Sequence, residues 1–362
     1  MKIGIIGCGN ISPAYFKGLA LYSFIEIAAC ADLNLELAQK RAAEFNVPKA
    51  CSVEELLADP AIELVINLTI PAAHAAVNLQ ILGAGKHAYC EKPFALTREA
   101  GNAVLALAAS KGLRVGCAPD TFLGAGHQTC RKILDDGVIG TPTAAFAAMG
   151  CPGHEFWHPN PEFYYKRGGG PLLDMGPYYI TALVNLLGPV RSVQAMVKRT
   201  FDKRLITSEP KNGTYMDVET PTHLTGLIEF VSGVVATTVF SFDIMGGHSL
   251  PMLEIYGTNG TIKEPDPNNF GGDVSTVLPR WKNEPVPHTH AYDSMRGTGV
   301  ADMVKAIQTG RAHRASGSLA NHVLDIMLAF EEAAASGLRL SLTTTCDRPA
   351  MMPVDLKTGE LD

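Results

Sequence analysis

The stretch Lys2-Ile3-Gly4-Ile5-Ile6-Gly7-Cys8-Gly9-Asn10-Ile11-Ser12 decides the fold. Its first residues form a short apolar run, as expected of a strand buried on both faces. Gly7 then permits a tight turn. The bare backbone of Gly9 leaves room for a pyrophosphate at the start of the next helix, where free amides and the positive dipole end gather. The third glycine of a G-x-G-x-x-G pattern is replaced by Ser12, still small enough for close helix–strand packing.

A glycine turn after a strand is weak evidence alone, so its surroundings carry the reading. Outward from it, apolar strand patterns at 2–6, 25–31, 64–68, 87–90 and 115–118 alternate with helix patterns at 12–21, 35–45, 53–57, 72–83 and 98–111. That alternation predicts a parallel sheet with helices on both faces. Asp32 ends the second strand, about 20 residues beyond the glycines, where a carboxylate binds the adenosine ribose hydroxyls and repels a 2′-phosphate. No arginine follows immediately to receive such a phosphate, so NAD is favoured over NADP. Gly7, Gly9, Asn10, Ile11 and Asp32 are the expected cofactor contacts of the first two strands. Two more strand ends open on the same crevice: Thr69-Ile70-Pro71 with His74, and Glu91-Lys92-Pro93. Proline restricts the residue before it. Lys92 is therefore held in a defined pose, able to donate to an alcohol or carbonyl oxygen.

Composition narrows the classes. With 362 residues and 46% hydrophobic content the chain has material for two cores, read as a dinucleotide-binding domain over 1–120 and a substrate domain over 121–362. A net charge of −6 gives no basic footprint for nucleic acid or an anionic membrane. No run approaches a membrane span, and the N-terminus lacks the pattern of a signal peptide. The eight cysteines are scattered without C-x-x-C spacing, which suggests a reducing cytoplasm and no zinc site.

GCGNIS, Asp32, TIPAAH and above all EKP resemble the Gfo/Idh/MocA oxidoreductases. The resemblance extends to GGGPLLDMGPYY at 168–179, where Asp174 and Gly176 fall on a D-x-G-x-H helix pattern. It implies an N-terminal Rossmann parallel sheet and a C-terminal domain with a large, mostly antiparallel open sheet. It also implies NAD(H) or NADP(H) chemistry on sugars or cyclitols, with Lys92 and Asp174 in the catalytic site and dimers or tetramers formed through the open sheet face. A residue near Asp120 would lie close to the nicotinamide ribose, although Asp120 reads equally as a turn residue. One departure matters: the helix histidine is replaced by Tyr178. A phenol titrates near pH 10 in its ordinary state. A neighbouring Lys92 ammonium would bring it toward working pH.

The loop before the glycines carries His154, Trp157 and His158, with aromatic faces for the C–H faces of a sugar and imidazoles for its hydroxyls. Either histidine is an alternative proton carrier. No metal-ligand spacing is evident. The three glycines are expected to bring the backbone close to the site, and the helix to carry Asp174 and Tyr178 on one face. Alternating runs at 192–198, 223–230, 234–242 and 252–262 read as antiparallel strands, and 201–221 and 263–290 as loops. Helices are expected at 299–309 and 318–335, the second packing back on the Rossmann domain. The leading expectation is an NAD-dependent sugar, glycoside or cyclitol dehydrogenase. The alternative is a glycoside-cleaving enzyme whose bound NAD cycles through oxidation, elimination and reduction. A non-catalytic NAD-binding sensor is disfavoured by the presence of both Lys92 and Asp174.

Overall fold

The computed structural model describes residues 1–279 and 282–362. They form two compact units, the first of residues 1–128, 288–324 and 349–362, the second of 129–287 and 325–348. The units therefore do not follow the chain as the two consecutive blocks 1–120 and 121–362. Hydrogen bonds within the first unit show why its C-terminal segments belong there. Tyr292 donates to the Leu123 carbonyl at 2.8 Å, and the Met352 amide donates to Gln128 Oε1 at 2.8 Å.

The first unit opens with β1 (Lys2–Ile6), α1 (Ser12–Leu19), β2 (Glu26–Ala31), α2 (Leu35–Phe45), β3 (Lys49–Cys51) and α3 (Val53–Ala58). It continues through β4 (Leu64–Asn67), α4 (His74–Gly83), β5 (His87–Cys90), α5 (Arg98–Ser110) and β6 (Val115–Cys117). The six strands are parallel in the order β3-β2-β1-β4-β5-β6. This is the Rossmann order, and the chain reverses direction across the sheet between β1 and β4. Ile6, Val65, Ala88, Ile81, Leu82 and Val104 lie in one buried cluster between strands and helices. Each fully buried Ile, Leu or Val contributes about 1.5–3 kcal/mol. The three-residue β3 escapes the sequence reading because its flanks are polar and it is too short to show a period.

Helix α6 (Ala125–Asp135) leads into the second unit, with β7 (Pro142–Gly150), α7 (Gly170–Leu187), β8 (Val190–Lys198), β9 (Lys203–Leu205) and β10 (Tyr215–Asp217). Next come β11 (His223–Phe230), β12 (Val235–Ser241), β13 (Leu253–Gly257), β14 (Gly260–Glu264), β15 (Val274–Leu278) and β16 (Lys282–Val286). Helix α8 (Thr298–Thr309) returns to the first unit, α9 (Gly317–Ser336) begins there and ends in the second, and β17 (Leu340–Ser341) follows. Nine strands form one sheet in the order β16-β15-β14-β13-β7-β12-β11-β8-β17, in which only β7 and β12 pair in parallel. The regions read as loops at 201–221 and 263–290 are corrected here. They contain the β9–β10 hairpin, the strand β15 and the edge strand β16. These strands are three to five residues long, too short to show a period even where β15 buries Val274 and Thr276 and β9 and β10 bury Arg204 and Met216.

Helix α7 is the centre of the second unit. From Gly176 to Leu187 every residue is buried, as expected of a helix covered all round. Tyr179 packs edge-on against Phe240 of β12, and Phe240 packs against Phe330 of α9. Arg131 of α6 donates to the Asn185 carbonyl at 3.1 Å. A side chain on a helix held from several sides has little freedom, and this is the platform that carries Asp174 and Tyr178.

Candidate functional site

In the first unit the candidate residues gather at the carboxyl ends of β1, β4 and β5. Gly7 has φ +98°, and a Cβ there would stand 2.6 Å from the Leu68 backbone, so only glycine fits the turn. Gly9 differs: a Cβ there would meet nothing within 4 Å. The turn is closed by the Ser12 hydroxyl donating to the Gly9 carbonyl at 2.8 Å. Helices α2, α3 and α5 have side-chain N-caps from Asn34, Ser52 and Thr97, whereas α1 has none. Its first turn is satisfied by backbone instead: Pro13 has no N–H, and the Ser12 and Ala14 amides donate to the Gly9 and Ile11 carbonyls at 3.2 and 3.1 Å. Asp32 accepts the Cys8 amide at 2.7 Å and the Asn34 amide at 2.9 Å, so its carboxylate is fixed while keeping lone pairs for ribose hydroxyls. An open cradle at Gly9 and an oriented carboxylate together fit a dinucleotide. Gly7, Gly9, Asn10, Ile11 and Asp32 are the residues that would hold it.

The other two strand ends are tied to one another. His74 is 1% exposed, with Nδ1 2.7 Å from the Pro93 carbonyl and Nε2 3.0 Å from the Thr69 carbonyl. Burial lowers its pKa, which keeps the ring neutral. Glu91 accepts the Tyr15 hydroxyl at 2.7 Å and the Lys92 amide at 3.0 Å. Burial, and then the Glu91 carboxylate, push the Tyr15 phenol well above its usual range, so it stays a donor. His74 and Glu91, expected as cofactor contacts, are thus buried groups that set the loops bearing Thr69, Ile70, Pro71 and Lys92. Ile70 is 69% exposed, and Lys92 is half-buried before a cis Pro93 peptide. Asp120 is a clear correction. It is fully buried, and its Oδ2 accepts the Gly297 and Gly299 amides at 2.9 Å each. Its carboxylate fixes the start of α8, and burial raises its pKa.

In the second unit the glycines do more than spare bulk. Gly168 and Gly170 take positive φ, and a Cβ at Gly169 would stand 2.6 Å from the Phe163 and Tyr164 carbonyls. The segment thereby docks the start of α7 onto the aromatic loop. His154 Nε2 lies 3.5 Å from Asp174 Oδ2, and Trp157 Nε1 donates to His154 Nδ1 at 3.3 Å. Tyr178, one turn beyond Asp174, is 5% exposed. His158 packs edge-on against Trp157, and its Nδ1 accepts the Asn160 amide at 3.0 Å. Burial lowers its pKa. Phe156, Trp157 and Phe163 are each about half exposed, which leaves aromatic faces for a ring to stack on.

Sequence reasoning missed what holds this loop. Arg204, with only 4% of its side chain exposed, reaches Glu155 Oε1 at 2.5 Å, the Phe242 carbonyl at 2.7 Å, the Pro152 carbonyl at 2.9 Å and Asp243. Tyr165 also donates to Glu155. A lone arginine in a polar stretch offers no local signal of such a role. Tyr15 was equally invisible, because its partner Glu91 is 76 positions away. Among the described residues there is no group of three or more His, Cys, Asp or Glu able to hold a metal ion, and no helix long and apolar enough to cross a membrane.

Comparison with known proteins adds to this geometry. The family model described as oxidoreductase family, NAD-binding Rossmann fold, matches residues 1–118, and the GFO/IDH/MocA C-terminal domain matches residues 127–263. A 1,5-anhydro-D-fructose reductase of Ensifer adhaerens is 32% identical over 283 residues, covering 76% of this chain and 77% of the relative. A trans-1,2-dihydrobenzene-1,2-diol dehydrogenase of Mus musculus is 30% identical over 191 residues, covering 52% of this chain and 56% of the relative. The solved structure of levoglucosan dehydrogenase in complex with NADH and L-sorbose aligns with a TM-score of 0.83 at 20% identity, over 95% of this chain and 99% of that one. At that identity the likeness speaks for the fold.

Proposed function

The chain belongs to the Gfo/Idh/MocA family of NAD-binding oxidoreductases, and on that footing we propose that its substrate is a sugar, glycoside or cyclitol oxidised or reduced at a ring carbon. The single observation that carries the reading is Asp174 and Tyr178 on successive turns of the buried helix α7, beside half-exposed aromatic rings. Bound NAD supplies the hydride acceptor or donor. The chain's own residues position the substrate and manage a proton. Asp174 accepts a hydroxyl, Tyr178 carries the proton of the reacting hydroxyl, and Lys92 donates to the same class of oxygen. The relative that acts on 1,5-anhydro-D-fructose supports a cyclic polyol ether as the first compound to try.

Two coarser proposals accompany this one. The outward face of β8, β11 and β12 exposes Met196, Leu227 and Val235, which supports assembly into a homodimer or homotetramer through that face. Eight free cysteines, seven of them buried, support a reducing, cytoplasmic setting.

The test is NADH absorbance on mixing protein and cofactor with 1,5-anhydro-D-fructose, hexoses, glycosides, sugar acids and inositols. A change with one class is expected, and Tyr178→Phe should lower kcat by about 10²- to 10⁴-fold without weakening NAD binding. Substrate consumed without net change in NADH would replace this reading with the trapped-cofactor cleavage. A silent panel, with NAD still bound, would remove the proposed substrate class.

A further inference from the structure

His154 stands in a box of rings: Tyr164 with centroids 4.2 Å apart, Phe242 edge-on at 4.6 Å and Trp157 edge-on at 5.5 Å. Its backbone amide is anchored to Glu155 Oε2 at 2.9 Å and to the Tyr165 hydroxyl at 3.2 Å, so the residue hangs from the Arg204 network. A phenylalanine would fill such a box. The imidazole nitrogens are what the box does not explain.

An indole N–H only donates. Trp157 Nε1 points at His154 Nδ1, so Nδ1 must be the acceptor and neutral His154 carries its proton on Nε2. That Nε2 is closed off from water and has no aligned hydrogen-bond partner among the described residues. It faces Asp174 Oδ2 at 3.5 Å. The Asn160 amide selects an Nε2–H tautomer at His158 in the same way, but the imidazole nitrogen that stands 3.5 Å from Asp174 belongs to His154.

We propose that His154 is a positioning residue for Asp174, with Trp157 selecting its Nε2–H tautomer and that N–H orienting the carboxylate that receives a substrate hydroxyl. The helix pattern of the family keeps its aspartate here but carries tyrosine at its histidine position. This chain supplies an imidazole to the aspartate from a loop instead. The proposal rests on Asp174 being a substrate acceptor, as argued above. No proton changes hands in it: the Nε2–H stays on the imidazole and only orients the carboxylate.

Two experiments decide it, and the first needs no substrate. In the full chain with ¹⁵N-labelled histidine, the imidazole signal lost in His154→Gln should be that of an Nε2–H tautomer. Trp157→Phe should turn it into a mixture. An Nδ1–H tautomer, or one indifferent to Trp157→Phe, would overturn the proposal. The second is steady-state kinetics with NADH and 1,5-anhydro-D-fructose as the probe. His154→Phe, which keeps the ring packing, should lower kcat by about 10- to 100-fold with KM for NADH little changed. His154→Gln, whose amide N–H can reach Asp174, should recover a large part of the loss. Equal kcat in His154→Phe and the wild type, or no difference between the Gln and Phe variants, would sink it. If the wild type leaves the probe untouched, the substrate reading fails and the tautomer experiment still decides this one.

Discussion

The turn after β1 and the loop before α7 are both expected to face a ligand, and they are built in opposite ways. The turn is secured by near neighbours in its own sheet. The Gly7 amide donates to the Ala31 carbonyl at 2.8 Å, and the Cys8 amide donates to Asp32. Its shape is a property of backbone, fixed by a glycine whose φ other residues rarely adopt. The loop is secured by side chains from far along the chain. Glu155 lies 49 positions from Arg204, and His158 receives the Ser208 hydroxyl on its carbonyl at 2.6 Å. A shape held by backbone tolerates changes around it. A shape held by one buried cation depends on that cation.

The largest effect should therefore come from Arg204. It answers two carboxylates, Glu155 and Asp243, whose side chains are 11% and 8% exposed. Arg204→Met leaves those charges without their cation, which for a broken buried pair costs about 3–5 kcal/mol. Urea unfolding of the variant should show a loss of that order, and the aromatic loop should become open to proteolysis. A loss of less than about 1 kcal/mol would place the pair among surface ion pairs and end the contrast drawn here.

The glycines of the turn allow a finer cut. Gly7→Ala places a side chain at positive φ, a strain of about 1–3 kcal/mol, and drives its Cβ into the Leu68 backbone. It should lower the melting temperature of the protein without ligand. Gly9→Ala meets open space and should leave that temperature unchanged. It should instead weaken NAD binding about tenfold, or about 1.4 kcal/mol, because the added methyl occupies the cradle. Calorimetry of both variants with and without NAD separates the two glycines. Equal destabilisation by both, or unchanged NAD affinity in Gly9→Ala, would show that the turn does not divide its labour in this way.

The same contrast governs what could be read in advance. The Rossmann half was legible because its signals are local: apolar strands, a glycine turn and Asp32 at its distance. The EKP and D-x-G elements were legible only as a pattern, and the pattern gave positions rather than partners. It did not show that His74 would face Thr69 and Pro93, or that Asp120 would be consumed at the head of α8. Trp157 and His154 were picked out for their chemistry. The tautomer that links them to Asp174 needed coordinates, because nothing in HEFWHPN says which imidazole nitrogen meets an indole. The strands β15 and β16, at the end of the sheet where β16 is the edge, were lost because their pairing partners, more than their composition, make them strands.

The smallest expected effect is one of pH, and it sharpens the comparison from the side of the first unit. Burial is the leading cause of lowered pKa values at His74, His87 and His313. In the unfolded chain such groups titrate near 6.5. Above that pH both states are neutral and nothing is gained or lost. As the pH falls through about 6.5 the unfolded chain binds protons that the folded chain refuses, so stability declines until the lower folded values are reached. His74 is the informative member. A neutral imidazole offers one N–H to its two facing carbonyls, those of Pro93 and Thr69. A proton would satisfy both, yet burial outweighs that gain. His74→Asn should therefore flatten part of the decline in melting temperature between about pH 7.5 and about pH 5.5. His158 contributes a decline from the second unit that this substitution should leave in place. A wild-type stability that rises on acidification would mean that the two carbonyls, not burial, decide the state of His74. The clip between the Thr69 and Lys92 loops would then tighten in acid rather than weaken.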